Sequence, residues 1–162
     1  MQKPTITMQP IGVVHSPYKE SKGTPIQGVF DDRAMEAWVE LEDKYAGGLK
    51  DLDGFSHAIL LYHFHQADVE EVVGRPYLEP REHGIFAMRS PHRPNHIGLS
   101  IVRIQKIEGC RLYFTEVDVL DGTPVLDIKP YVKQFDARED AVSGWIENYF
   151  AHGRQPDQTT AT

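Results

Sequence analysis

Arg89, His92, Arg93, Asn95 and His96 crowd into one short stretch, RSPHRPNHIG (89–98). A guanidinium forks onto a carboxylate or a phosphate. An asparagine amide offers the donor and acceptor needed to read a purine edge. Pro91 and Pro94 fix their own φ angles and push Ser90 and Arg93 out of the α region. The stretch is therefore stiff, and its side chains have little entropy left to lose on binding. Gly98 permits close approach of the backbone. The same residues also suit a solvated connection between strands, and the pattern alone leaves both readings open.

Two further constellations carry ionisable groups. In DGTPVLDIKPY (121–131), Asp121-Gly122 is a turn signal and Pro124 starts an extended stretch. Asp127 and Lys129 then share one face while Ile128 takes the other. Taken alone, such a pair reads as a surface ion pair worth little. In HAILLYHFHQ (57–66), His57, His63 and His65 share strand parity. That spacing suits a metal, a ligand-facing wall or a solvated face. No matching carboxylate or fourth-ligand spacing accompanies it, so no metal is expected.

The elements that must position these groups read mainly as strands. IGVVHS (11–16), EAWVEL (36–41), HAILLYHF (57–64), GIFAM (84–88), LSIVRIQKI (99–107), RLYFTEVDVL (111–120) and PVLDIKPY (124–131) are strand-like. Glu108-Gly109 followed by Cys110 predicts a hairpin turn. Strands at this spacing suggest an antiparallel barrel or sandwich. EDKYAGGLKDL (42–52) predicts a short helical turn weakened by Gly47-Gly48. AREDAVSGWIENYF (137–150) predicts a helix near the C-terminus, with Val142, Trp145, Ile146 and Tyr149 on its packed face. Residues 1–150 read as a single domain and 151–162 as a flexible tail.

Bulk properties narrow the partners. The 162 residues are 40% hydrophobic and 25% charged, and no apolar run approaches the roughly 20 needed for a membrane helix. The N-terminus lacks a signal-peptide core and Cys110 stands alone, so a cytoplasmic location is expected and a disulfide is excluded. The net charge of −7 argues against nucleic-acid binding by the overall field, leaving RSPHR as the candidate basic patch. Neither GxGxxG nor GxxxxGK[ST] occurs, so a nucleotide-like ligand would be held by other means.

Four collinear blocks then acquire a joint meaning. IGVVHSPYKE (11–20), GLKDLDGFSHAILLYHFHQ (48–66), FAMRSPHRPNHIGLS (86–100) and DGTPVLDIKPY (121–131) together resemble the TsaA-like family, also called the YaeB or TrmO family. The resemblance implies a small antiparallel β-barrel with short helices. It also implies binding of S-adenosylmethionine and a homodimer. It further implies methylation of the exocyclic nitrogen of threonylcarbamoyl-adenosine beside the anticodon of tRNA.

On the loop, the resemblance carries the donor site to Arg89, Ser90, Arg93, Pro94, Asn95, Ile97 and Gly98, and backbone around Leu99 and Ile128 would read the adenine edge. On the second motif it points to Asp121, Gly122, Thr123, Asp127, Ile128, Lys129 and Tyr131. Phe64 and His65, at the end of the central strand, complete the set. Arg89 or Arg93 would meet the donor's carboxylate, and Asp121 or Asp127 its ammonium or ribose. Asp127, His65 or Tyr131 would collect the acceptor's proton. His96 stands where many relatives carry proline, and Ile26 where bacterial relatives carry arginine. A small-molecule acceptor, or donor sensing without catalysis, is the alternative to tRNA.

Overall fold

Alternation of apolar and polar residues builds the sheet. A computed structural model describes residues 3–154. Its strands are β1 (Gly12–His15), β2 (Ala37–Leu41), β3 (His57–His63), β4 (Val73–Gly74), β5 (His83–Gly84), β6 (Ile97–Glu108), β7 (Arg111–Thr115) and β8 (Pro124–Pro130). Successive side chains of a strand point to opposite faces. The inward set Val14, Val39, Ala58, Leu60, Val102, Leu112, Phe114 and Val125 is fully buried and fills one core.

Six strands close into an antiparallel barrel in the order β1-β2-β7-β6-β3-β8, with β8 returning to β1. Closure leaves no open sheet edge. The barrel is the antiparallel fold that the sequence leads one to expect. The hairpin between β6 and β7 turns where Glu108-Gly109 predicts it, with Gly109 at φ 58° and Glu108 opposite Arg111.

Three expectations need correction. GIFAM (84–88) is not a barrel strand: His83–Gly84 pairs only with Val73–Gly74, and Ile85–Ala87 forms a 3-10 turn. Ile85 is buried there while Phe86 is 81% exposed, because the closed barrel has no edge left to extend. RLYFTEVDVL stops being strand at Thr115, since Glu116 adopts φ 62°. Val117 and Val119 still pack into the core from the loop that follows.

The helix expected over 137–150 is also shorter and shifted. Helical turns occur at α1 (Lys133–Asp136) and α2 (Ile146–Ala151), and Gly144 at φ 54° separates Val142 from the second. Val142 is 86% exposed rather than packed. Trp145 does pack, stacking on His83 at 4.4 Å between centroids and donating from Nε1 to the Ala87 carbonyl at 2.9 Å. The 42–52 segment forms 3-10 turns at Asp43–Leu49 and Leu52–Gly54. Of the tail expected at 151–162, residues 155–162 lie outside those described.

Candidate functional site

Antiparallel pairing decides which motifs meet. His63 pairs with Ile97 and Tyr62 with Gly98, so the end of β3 adjoins the start of β6. Tyr62 also pairs with Val125, which brings in the start of β8 and the turn before it. Phe64, His65, the 89–98 loop and Asp121–Thr123 therefore gather at one end of the barrel. A Cβ on Gly122 would lie 3.8 Å from His65 Nε2, which measures how closely the two motifs approach.

The loop is held by its own hydrogen bonds. Ser90 Oγ accepts from the His92 N–H at 3.2 Å, and Arg93 Nη1 donates to the Met88 carbonyl at 2.7 Å. The Phe64 N–H donates to the His96 carbonyl at 2.8 Å, and the Glu71 N–H to that of His92 at 3.1 Å. His96 Nδ1 lies 2.9 Å from the Pro91 carbonyl, and its ring meets His63 edge-on at 6.0 Å. Its φ of 47° is closed to proline. The histidine therefore fixes the loop by a hydrogen bond. Asn95, at φ 64°, remains exposed beside Pro94.

The two arginines separate in role. Arg93 is spent on the loop backbone, whereas the exposed Arg89 makes one long hydrogen bond among the described residues, to Gln27 Oε1 at 3.4 Å. A guanidinium presented this way is available to an anion.

The DGT turn is largely structural. Gly122, at φ 79°, donates to the Val14 carbonyl at 2.8 Å, and buried Thr123 donates from Oγ1 to the Leu120 carbonyl at 2.7 Å. Asp121 accepts from the Ser16 N–H at 3.0 Å and pairs with Lys19 Nζ at 2.6 Å. The Lys19 hydrogen bond holds its carboxyl below the ordinary value.

The rest of the second motif runs away from this end. Asp127 and Lys129 form the outward ion pair that parity suggests, at 2.9 Å, with Asp127 Oδ1 also accepting from the Ile128 N–H. Asp127 and Ile128 line a cleft of about 340 Å³ with Leu41, Tyr45, Leu52 and Phe55. Tyr131 lies at the far end of β3, donating its N–H to the His57 carbonyl at 3.0 Å. Seven residues of strand, roughly 20 Å, separate it from the loop.

The histidines divide likewise. His57 and His63 face outward from opposite ends of β3, and His65 lies beyond the strand. Among the described residues, no group of three or more His, Cys, Asp or Glu side chains could hold a metal ion. Burial, then the neighbouring His63, lowers the pKa of His65, which keeps its imidazole neutral around pH 7.

Beneath the loop runs a polar chain that motif reading misses. Tyr62 Oη lies 2.9 Å from Ser100 Oγ, and Ser100 donates to Asp118 Oδ1 at 2.5 Å. Because Ser100 has one hydrogen and spends it on Asp118, Tyr62 must be the donor to Ser100. Asp118 Oδ2 accepts from the Gly28 N–H at 3.2 Å. Burial pushes the Asp118 carboxyl up to about 6 despite these bonds. Burial and then Asp118 raise the Tyr62 phenol as well. The available signal was Asp118 itself, a lone carboxylate between the core residues Val117 and Val119.

A closed antiparallel barrel carrying an arginine-bearing end loop defines an all-β domain, with no parallel sheet of the Rossmann kind among the described residues. The model of the tRNA-methyltransferase O N-terminal domain family matches residues 13–137. A probable S-adenosyl-L-methionine-binding protein of Pyrococcus abyssi is 49% identical over 142 residues, covering 88% of this chain and 77% of that one. A tRNA (adenine(37)-N6)-methyltransferase of Mus musculus is 36% identical over 138 residues, covering 82% of this chain and 32% of that one. The crystal structure of TrmO from Pseudomonas aeruginosa is 39% identical, with a TM-score of 0.74, over 88% of this chain and 63% of that one. The chain thus spans less than two thirds of the solved TrmO chain and about a third of the mouse enzyme. It belongs to the tRNA-methyltransferase O N-terminal domain family.

Proposed function

We propose that this chain is an S-adenosylmethionine-dependent methyltransferase domain acting on the exocyclic nitrogen of threonylcarbamoyl-adenosine next to the tRNA anticodon. The observation that carries the reading is Arg89, an exposed guanidinium held over a glycine-lined barrel end. The donor set fits on its charged side: an exposed guanidinium for a carboxylate. Relatives named as S-adenosyl-L-methionine-binding proteins and as tRNA methyltransferases support both halves of the proposal.

Bound at this end, S-adenosylmethionine supplies a methyl group activated by its sulfonium. Arg89 takes the donor's carboxylate, and Asn95 with the backbone near Leu99 reads its adenine. Phe64 supplies an aromatic wall beside them. Arg93, Ser90 and His96 hold the loop in shape, so that positioning provides most of the acceleration.

His65 is the group to collect the acceptor's proton. Of His65, Asp127 and Tyr131 it alone stands at the loop end, and its lowered pKa leaves the imidazole neutral and able to accept. Asp127 faces the outer surface beside Lys129, apart from the amino-acid end of a donor whose carboxylate lies on Arg89.

The outer face also favours a homodimer. Ile97, Leu99 and Ile101 are each about 40% exposed and align beside Leu61 and Ile59. A second copy covering that stripe would bury it. The protein would work in the cytoplasm on tRNA. A small-molecule acceptor is the second reading, favoured by the net charge of −7.

Transfer of labelled methyl from S-adenosylmethionine to total tRNA, taken from a strain lacking the protein, tests the first reading. Incorporation at the modified adenosine is the expected result. No incorporation while the donor binds would remove tRNA as the acceptor.

A further inference from the structure

The Tyr62–Ser100–Asp118 chain, with buried Tyr62 and Ser100 and a half-buried carboxylate, is a polar device that the roles above leave unused. A charged carboxylate drawn out of water is disfavoured unless its bonds compensate. Asp118 titrates near 6, so the fold would be better served by a neutral side chain at this place. The hydrogen bonds it accepts point to another role.

Two bonded arms lead from this carboxylate into the candidate site. Through the Gly28 N–H it holds the turn whose neighbour Gln27 contacts Arg89. A Cβ on Gly28 would sit 1.9 Å from the Glu116 carbonyl, so this turn is pressed against the Asp118 segment with no slack. Through Ser100 the carboxylate fixes the Tyr62 hydroxyl. The Tyr62 ring underlies Gly98 and meets Phe64 edge-on at 5.3 Å.

Arg89 completes the circuit electrostatically, its charge favouring the ionised forms of both Asp118 and Tyr62. The groups that face Asp118 are thus Tyr62 from β3, Ser100 from β6, the Gly28 N–H from its turn and Arg89 from the loop.

We propose that Asp118 is a positioning residue for the donor site, its carboxylate fixing Tyr62 and the Gln27–Gly28 turn and so aiming the Arg89 guanidinium at the donor. The proposal rests on the reading of the 89–98 loop as that site. It has a consequence that a purely structural role lacks. Protonating Asp118 relieves the fold but releases the site, so stability and donor affinity respond to acid in opposite directions.

The test compares the wild-type chain, Asp118→Asn and Ser100→Ala. S-adenosylmethionine affinity is measured by calorimetric titration and stability by thermal melting, at about pH 7.5 and about pH 5.5, either side of the Asp118 value. At the higher pH, Asp118→Asn should bind the donor about tenfold more weakly yet melt no lower than wild type. On acidification the wild-type affinity should fall towards that of the variant, which itself changes little. Ser100→Ala keeps the charge but cuts the arm to Tyr62, and should lose part of the affinity.

Equal affinity in wild type and Asp118→Asn overturns the proposal. So does weaker binding by Asp118→Asn that comes with a lower melting temperature and an unaltered pH profile. A wild-type chain that binds no S-adenosylmethionine overturns the reading of the loop instead.

Discussion

The ring of Tyr62 occupies the space where a side chain on Gly98 would begin. A Cβ at Gly98 would lie 2.2 Å from Tyr62 Cε2 and 2.6 Å from Cζ, far inside contact distance. Tyr62 cannot swing away, because its hydroxyl is tied to Ser100 and its ring abuts Phe64. Gly98 is therefore required first by packing, and any room for a ligand follows from that. Gly98→Ala should destabilise the fold by about 1–3 kcal/mol, as overpacking in a core does. It should also lower affinity for S-adenosylmethionine, since β6 must move at the mouth of the site. Urea unfolding and donor titration on the same variant check both.

Arg89 and Arg93 should part company on mutation. Arg89→Ala is expected to leave the melting temperature nearly unchanged and to weaken donor binding by about 1.5–3 kcal/mol, the range for hydrogen bonds to charged groups. Arg93→Ala removes the bond to the Met88 carbonyl. It should lower stability, and reduce affinity only through a looser loop. Calorimetry and melting on both variants decide this; equal loss of affinity at equal stability would show both guanidinium groups on the donor.

Asp118 and Asp121 should give the stability curve opposite slopes. Asp118 has a folded pKa raised from 3.8 to about 6. Its contribution to stability is full below the unfolded value and is lost as pH rises through about 6. The cost at neutral pH is about 3 kcal/mol. Asp121 is lowered by Lys19, so its contribution is present above the unfolded value and is lost as pH falls through the folded one. The difference in melting temperature, Asp118→Asn minus wild type, should grow between about pH 4 and pH 7. For Asp121→Asn the difference should be negative near neutrality and shrink in acid.

Trp145 ties the C-terminal segment to the strand that leads into the loop. Trp145→Ala removes the stack on His83 and the bond to Ala87, and should cost about 1–2 kcal/mol. Hydrogen exchange should quicken at residues 83–88, with little change in the barrel strands. Unchanged protection there would mean that the segment is held without the tryptophan.

The sequence by itself determined the parts whose cause is local. Alternation in HAILLYHF and LSIVRIQKI set their inner and outer faces, Gly109 set the hairpin, and Pro91 with Pro94 made the loop stiff. The order of four motifs gave the family. Only the tertiary structure decided which charged groups stand together. Antiparallel pairing sends β8 away from the loop, so Asp127 and Tyr131 leave the end where Asp121 stays, although all three share one motif. Arg89 and Arg93 are equal in sequence, but only one finds a backbone carbonyl within reach. Asp118 belongs to no motif, and it takes its weight from Ser100 and Gly28, residues distant in the chain that barrel closure brings to its two oxygens. Periodicity reports which face a residue occupies; the partners it meets there depend on long-range pairing that no short window of sequence contains.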